Sequence, residues 1–190
     1  MLHAIGIDIG GTNIKYGLAD SSGNIGYESI RPTHQPQTTV YENILDIITE
    51  VSRASNSVPE TIGIGVPAII EDGIVTGCFT NLPDLDGMPL AARLGAATGA
   101  RIAVGNDANL MGLAEWRYGA ARGATDALFL TIGTGIGGAM VVNGEQYSGY
   151  RNRGSELGHI IVESQGNPCG CGGRGCLGSA RLRQSAHRRL

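Results

Sequence analysis

Several features are scarce in this chain of 190 residues, and each scarcity excludes a class of protein. Charged residues make up 16% of it and the net charge is -3, so no basic surface points to nucleic acid as a partner. No apolar run is long enough to span a membrane. The N-terminus, MLHAIGIDIGG, lacks the basic region and apolar core of a secretory leader, which predicts a cytoplasmic protein.

Cysteine is scarce too, and its distribution excludes a disulfide framework. Three of the four cysteines crowd into one glycine-rich loop, whereas a disulfide scaffold spreads its cysteines along the chain. His159 precedes that loop, and one imidazole nitrogen with three thiolates makes a closed tetrahedral zinc site. The sequence therefore predicts structural Zn²⁺ on His159, Cys169, Cys171 and Cys176, and Cys78 as a core residue.

Glycine, in contrast, is abundant, and its 31 residues gather in short runs. The runs are DIGGT (8–12), TIGTGIGG (131–138) and CGCGGRGC (169–176). Glycines let backbone N–H groups converge on an anion such as phosphate, and the hydroxyls of Thr12 and Thr134 can add donors. No GK[ST] follows either hairpin run, and no helix is predicted after GTGIGG, so Walker and Rossmann loops are excluded. Each loop alone is compatible with an ordinary hairpin turn.

Hydrophobic periodicity predicts a mixed α/β chain. HAIGIDIGG, TNIKYGLAD and GNIGYESIR read as three strands of an antiparallel meander, with turn residues between them. Residues 38–54 carry apolar side chains at helical spacing. TIGIGVP then predicts a strand, PLAARLGAAT a helix, RIAVGND a strand and ANLMGLAEWRYGAA a helix.

The beginning of the chain recurs later as ALFLTIGTGIGGAMVVNG, again strand, glycine turn and strand. Aligning the two segments sets Asp8 opposite Thr131 and Gly10 opposite Gly133. Two glycine hairpins at equivalent positions of a duplicated unit favour a nucleotide held between two lobes. We expect an N-terminal lobe over 1–119 and a second lobe from 120 to 177, with a boundary near 118–123.

Two carboxylates stand where they could act on a ligand. Asp107 follows Asn106 at a strand-to-helix junction, where ligands bind in open α/β sheets. Asp107 could simply cap the helix, or it could accept a proton from a sugar hydroxyl as that oxygen attacks a phosphate. Glu156 lies three residues before His159, which is not the HExxH pattern of zinc proteases, and a solvated carboxylate remains the alternative.

The motifs DIGGT (8–12), GNDAN (105–109), TIGTGIGG (131–138), ELGH (156–159) and CGCGGRGC (169–176) resemble, in this order, those of the ROK family. That family includes bacterial glucokinases, N-acetylhexosamine kinases, fructokinases and sugar-responsive repressors. The resemblance extends from about residue 4 to 177. It implies the actin-like, ribonuclease H-like ATPase fold, with a complete N-terminal lobe and a partial C-terminal lobe. The repressors carry an N-terminal helix-turn-helix, whereas the first strand here starts at Ala4, so a repressor is not expected.

The resemblance also implies a role for each motif. Asp8 and its loop would serve the phosphates of ATP and Mg²⁺, and Asp107 would be the catalytic base. His159 would give one ring nitrogen to the sugar and the other to zinc. Sugar hydroxyls would be bound by Asn81, Asn106, Asp107, Glu156 and His159. The nucleotide and its metal would be bound by Asp8, Gly10, Gly11, Thr12, Asn13, Gly133, Thr134, Gly135, Gly137 and Gly138.

The end of the chain departs from the family pattern. Gly178 occupies a position where members usually have a sugar-binding glutamate. The segment 178–190 is rich in arginine and has no Asp or Glu, which predicts a shifted reading frame or an early stop, with a basic tail that binds an acidic partner as the alternative.

Three functions follow from these patterns. The first is an ATP-dependent sugar kinase that transfers the γ-phosphate to a hexose hydroxyl, as glucokinases do. The second is a non-catalytic sugar-binding remnant that lacks the part covering adenosine. The third is a non-functional frameshifted product. The identity of the sugar does not follow from the residues, and a homodimer, common in the family, stays an open expectation.

Overall fold

The computed structural model describes residues 3–55, 60–78, 82–133 and 135–180. The backbone divides into two compact units, Met1–Asp107 and Ala108–Leu190. The first unit contains strands β1 to β7 and helices α1 and α2. Their bounds are β1 His3–Ile9, β2 Asn13–Asp20, β3 Ile25–Pro32, α1 Val40–Ala54, β4 Thr61–Val66, β5 Ile69–Glu71, β6 Ile74–Thr76, α2 Leu90–Thr98 and β7 Arg101–Asn106.

The first unit is built on a five-stranded mixed sheet in the order β3-β2-β1-β4-β7. β1, β2 and β3 form the predicted antiparallel meander. β4 pairs parallel with both β1 and β7, so the carboxyl ends of these three strands lie at one edge. Alternation in β1 buries Ile5, Ile7 and Ile9, because successive side chains of a strand point to opposite faces.

Helix α1 confirms the helix predicted over residues 38–54. Thr39 and Glu42 form a capping box, which satisfies two backbone donors at the helix start. The apolar positions at helical spacing are buried, and one polar residue, Asn43, is buried among them. The buried set is Val40, Asn43, Ile44, Ile47, Ile48 and Val51.

The described part of the second unit contains fewer helices and strands than the first. α3 (Asp107–Arg117) is followed by β8 (Ala127–Ile132), β9 (Ile136–Val142) and β10 (Glu145–Gln146), which form an antiparallel sheet in the order β10-β9-β8. A short 3₁₀ helix covers Leu157–His159. α3 packs closely against this sheet, since a Cβ on Gly112 would overlap the side chain of Ala139 in β9.

The division between the compact units falls after Asp107, the first residue of α3, whereas the sequence placed the end of the first lobe after α3. The close approach of Gly112 to β9 explains why α3 groups with the second unit. The lobe bounds 1–119 and 120–177 therefore stay a prediction about the family fold.

In the part of the chain that the structure describes, no helix has both the length and the apolar character of a membrane span.

Candidate functional site

The first glycine hairpin carries Asp8 and the Gly10–Asn13 turn. Asp8 is the penultimate residue of β1, is exposed, and lies opposite Lys15 of β2. The N–H of Gly10 donates to the carbonyl of Asn13 at 3.0 Å. A Cβ on Gly10 would lie 2.9 Å from that carbonyl oxygen, so glycine permits the close approach of the turn. Gly11, Thr12 and Asn13 are exposed and available to a ligand.

The parallel pairing of β1, β4 and β7 brings Asp8 and the Asn106–Asp107 pair to one sheet edge. Asp8 lies opposite Gly65 of β4, and Gly65 lies opposite Gly105 of β7. Two strand spacings make the backbone separation between Asp8 and Gly105 about 10 Å. Carboxylates at the carboxyl ends of parallel strands suit phosphate, metal and sugar chemistry.

Asn106 and Asp107 occupy the strand-to-helix junction as predicted. Asn106 ends β7, and its amide nitrogen donates to the carbonyl of Ala68 at 3.3 Å, which ties β7 to the loop after β4. Asp107 is the first residue of α3 and is half-buried. The helix dipole favours a negatively charged residue at this position, which stabilises the start of α3.

The second glycine hairpin joins β8 to β9, so a strand follows it where a Rossmann loop would lead into a helix. Thr131 lies opposite Gly137, and its hydroxyl accepts from the Gly137 N–H at 3.1 Å. Gly133 and Gly135 lie in the exposed turn, where the N–H of Gly133 donates to the carbonyl of Gly135 at 3.0 Å. Thr131 thus holds the penultimate position of β8, as Asp8 does in β1.

Gly137 and Gly138 lie inside β9 and have packing roles. A Cβ on Gly137 would lie 2.8 Å from the Ala108 side chain, and one on Gly138 would lie 2.5 Å from Leu157. Gly158 approaches the carbonyl of Ile136 so closely that a Cβ there would overlap it. The segment that carries Glu156 and His159 is therefore held directly on β9.

Glu156 and His159 occupy the two ends of the Leu157–His159 turn. Both residues are exposed, and the N–H of His159 donates to the carbonyl of Glu156 at 3.0 Å. Buried Leu157 anchors the turn between them, so their side chains project from a fixed backbone.

The predicted metal cluster assembles in the second unit. One ligand atom each from His159, Cys169, Cys171 and Cys176 lies within 4.8 Å of every other. The Cys171 and Cys176 sulfurs are 3.7 Å apart, and the Cys169 sulfur is 3.4 Å from His159 Nδ1. A zinc tetrahedron with Zn–S of about 2.3 Å has S–S edges of about 3.8 Å. The donor set and its spacing therefore fit Zn²⁺.

Two cysteines of the cluster differ in acidity. Burial raises the pKa of the Cys176 thiol to about 11, whereas the backbone N–H of Gly173, followed by the neighbouring cysteines, lowers the pKa of Cys171 to about 7. Cys78 lies apart in the apolar core, as predicted, and burial raises its thiol pKa to about 11. Cys78 belongs to the apolar core and is not among the four residues of the cluster.

Two predicted residues, Asn81 and Thr134, lie outside the described residues. Two others were missed by sequence reasoning. Thr33 donates its hydroxyl to the carbonyl of Gly10 at 2.6 Å, and Asn43 donates to the carbonyl of Thr33 at 3.1 Å. The signal for Asn43 was its polar side chain at a helical core position, whereas nothing in the local sequence distinguishes Thr33.

Comparison with known proteins extends the resemblance across the chain. The sequence matches the ROK family model over residues 4–181. A glucokinase from Thermotoga maritima is 40% identical over 180 residues, which cover 93% of this chain and 56% of the relative. An N-acetyl-D-glucosamine kinase from Yersinia pestis is 33% identical over 185 residues, which cover 90% of this chain and 71% of the relative.

Solved structures agree with the sequence comparison. A ROK family glucokinase from Streptomyces griseus, in complex with glucose and AMPPNP, superposes with a TM-score of 0.81 at 31% identity, over 98% of this chain and 62% of the other. A ROK hexokinase from Thermus thermophilus has a TM-score of 0.79 at 33% identity, over 98% and 65%. The chain thus spans little more than half of the first glucokinases that it matches. The fold is the actin-like, ribonuclease H-like ATPase fold, and the chain belongs to the ROK family.

Proposed function

We propose that this chain is an ATP-dependent sugar kinase that transfers the γ-phosphate of ATP to a hexose hydroxyl. The observation that carries the proposal is the shared sheet edge, where Asp8 of β1 and the Asn106–Asp107 pair at the end of β7 are separated by the single strand β4. Similarity to glucokinases and to a glucokinase solved with glucose and AMPPNP supports glucose as the first sugar to test.

Asp107 acts in this proposal as the general base. Its carboxylate accepts the proton of the sugar hydroxyl as that oxygen forms a bond to the γ-phosphorus, while the bond to the β-phosphate oxygen breaks and ADP leaves. Mg²⁺, when bound with ATP, would neutralise charge on the phosphates. Asp8, a hard oxygen ligand beside the Gly10–Asn13 turn, would hold that ion or its waters.

The glycine hairpins supply backbone donors to the phosphates in this proposal. Gly11, Thr12 and Asn13 are exposed at the first turn, and Gly135 at the second. Gly133, whose N–H donates to the Gly135 carbonyl, shapes the second turn. Gly10, Gly137 and Gly138 contribute by letting the backbone close up behind these turns. Thr134 and Asn81 remain predictions from the resemblance.

Sugar hydroxyls are bound in this proposal by Asn106, Asp107, Glu156 and His159. The His159 ring has Nδ1 beside the Cys169 sulfur, so Nε2 on the far side of the ring is the nitrogen left for a sugar hydroxyl. Zn²⁺ on Nδ1 would fix the tautomer and the ring orientation. Four protein ligands leave no open position on the metal, so its role is structural.

The zinc assignment is tested by metal content. We expect about one zinc per purified chain, with loss of zinc in Cys176→Ser because one thiolate ligand is removed. Cys78→Ala is the matched control, since Cys78 lies in the apolar core away from the cluster and should leave the zinc content unchanged. Zinc-free wild-type protein, or full zinc in Cys176→Ser, would contradict the assignment.

Turnover is tested by coupled ADP release with glucose, N-acetylglucosamine and N-acetylmannosamine. We expect ADP release that requires a hexose, and a fall in kcat of about 10²–10⁴-fold in Asp107→Asn with little change in the sugar KM. Asp46→Asn, an exposed aspartate of α1, is the control that should retain wild-type rates.

Calorimetry with the same sugars separates the remaining outcomes. Sugar binding without ADP release, from folded and zinc-loaded protein, would indicate the sugar-binding module in place of the kinase. If the protein neither binds a sugar nor releases ADP, both functions are overturned.

A further inference from the structure

The Gly10–Asn13 turn is held by a side chain from a different part of the chain. Thr33 follows β3, and its hydroxyl donates to the carbonyl of Gly10 at 2.6 Å. Its backbone N–H donates to the carbonyl of Thr12 at 2.9 Å. Thr33 is 1% exposed, so both bonds are shielded from water. Two carbonyls of the turn therefore point at one buried residue.

These two bonds determine where the turn's N–H groups point. In a planar trans peptide the C=O and the following N–H point in opposite directions. Because the carbonyls of Gly10 and Thr12 point at Thr33, the N–H groups of Gly11 and Asn13 face away from it. Both residues are exposed, so these N–H groups are placed to meet a phosphate oxygen.

Thr33 is itself held from the side of helix α1. The amide nitrogen of Asn43 donates to the carbonyls of Pro32 at 3.0 Å and Thr33 at 3.1 Å. The Asn43 amide oxygen accepts from Arg31 at 3.2 Å and from Gln35 at 3.1 Å. Asn43 is also 1% exposed, and both the nitrogen and the oxygen of its amide are hydrogen-bonded. A buried polar group that is fully bonded resists displacement, because breaking its bonds leaves it unsatisfied.

We propose that Thr33 is a positioning residue of the kinase reaction, which holds the Gly10–Asn13 turn in the form that binds phosphate. Thr33 touches neither sugar nor nucleotide in this proposal. It acts through the orientation of the Gly11 and Asn13 N–H groups, with Asn43 behind it. The effect of Thr33 on ATP binding rests on the proposed function, whereas its two hydrogen bonds to the turn do not.

The first test is amide hydrogen exchange across residues 9–14. Thr33→Val replaces the hydroxyl by a methyl group of similar size and removes the bond to Gly10, and we expect exchange there to rise about fivefold. Thr33→Ser keeps the hydroxyl and should retain wild-type exchange. Thr49→Val is the matched control, since it removes a hydroxyl bond of 2.9 Å to the Leu45 carbonyl on the exposed side of α1.

The second test is steady-state kinetics on the same variants. We expect Thr33→Val to raise the KM for ATP about fivefold while the hexose KM stays within twofold, and Thr33→Ser to restore the ATP KM. A general loss of folding would change the KM for ATP and the KM for the hexose together, or neither of them. A change in the ATP KM alone is therefore specific to the turn.

The outcomes separate this inference from the proposed function. Wild-type protein that releases no ADP refutes the kinase, and hydrogen exchange then still decides whether Thr33 holds the turn. Unchanged exchange in Thr33→Val, or an equal rise in Thr33→Ser, overturns the inference. So does an ATP KM that moves no more than the hexose KM.

Discussion

Glycines in this chain have different roles at neighbouring positions. Gly133 and Gly135 lie in an exposed turn, where a Cβ would meet nothing within 4 Å. Gly137, Gly138 and Gly158 lie where a side chain would strike Ala108, Leu157 or the backbone of Ile136. The run TIGTGIGG therefore combines a loop open to ligands with a packing surface for the residues around Glu156 and His159.

Gly158→Ala tests the packing role. Its Cβ would overlap a backbone carbonyl, which cannot rotate away as a side chain can, so we expect a loss of about 3 kcal/mol in the free energy of unfolding. Gly170→Ala is the control in the same unit, because a Cβ there meets nothing within 4 Å. Urea titration measures both, and equal stabilities would disprove the close contact.

Residue types at the site were more predictable than their contacts. Asp8, Asn106, Asp107, Glu156 and His159 stand out because polar residues end apolar strands or precede a metal motif. Thr33 does not stand out, since its importance arises from a hydrogen bond to Gly10 across 23 positions of sequence. Asn43 gave a visible signal as a polar residue at a core position, but its partners depend on how α1 lies on the sheet.

At the scale of elements, α1 is joined to the meander by a polar cluster around Glu50. Tyr27 and Tyr16 donate their hydroxyls to Glu50 at 2.7 and 2.9 Å, and Arg31 forms an ion pair with it. These contacts lower the pKa of Glu50, chiefly through the hydrogen bond from Tyr27. The same bond raises the pKa of Tyr27.

The lowered pKa of Glu50 makes stability depend on pH. Its folded pKa lies below the unfolded value of about 4.3, so the stabilisation is present above that pH and is lost as the pH falls through the folded pKa. In Tyr27→Phe, the free energy of unfolding should fall less as the pH is lowered. Urea unfolding between pH 3 and 7 measures this. Because the Glu50 side chain is 38% exposed, we expect an effect below about 1 kcal/mol.

The control for this pH dependence is another tyrosine of the same unit. Tyr41 donates its hydroxyl to the carbonyl of Arg93, away from Glu50. Tyr41→Phe should therefore keep the wild-type acid slope. If Tyr27→Phe and Tyr41→Phe behave alike, the Tyr27 bond does not set the pKa of Glu50.

The helices and longer strands of the described residues follow the sequence pattern, because they have a clear period or a clear boundary residue, whereas the short strands β5, β6 and β10 were not predicted. α2 ends at Gly99 with φ of 74°, a left-handed conformation that glycine adopts without strain. β1 and β2 meet at glycines, and β4 precedes Pro67. Local signals of this kind need no knowledge of distant residues.

At the scale of the whole molecule, the two compact units differ in how well their sheets are covered. The first unit contains the large isoleucine-rich core. In the second, β8 lies at the edge of its sheet and exposes Leu128, Leu130 and Ile132 on one face. An exposed apolar edge strand favours self-association, so solution measurements on this chain should be made at low protein concentration.

Residue pattern alone was enough to predict the α/β class, the meander and the His–Cys cluster, because glycine turns, hydrophobic period and the His–Cys spacing are local properties of the chain. The order of the motifs indicated the family by resemblance. Tertiary structure decided which groups meet. It set Asp8 and Asp107 at one sheet edge through β4, and it grouped α3 with the second unit through Gly112. It also brought the Thr33 hydroxyl to the Gly10 carbonyl. Strand order and helix placement come from burying apolar faces against one another, and such contacts between distant segments leave no local mark in the sequence.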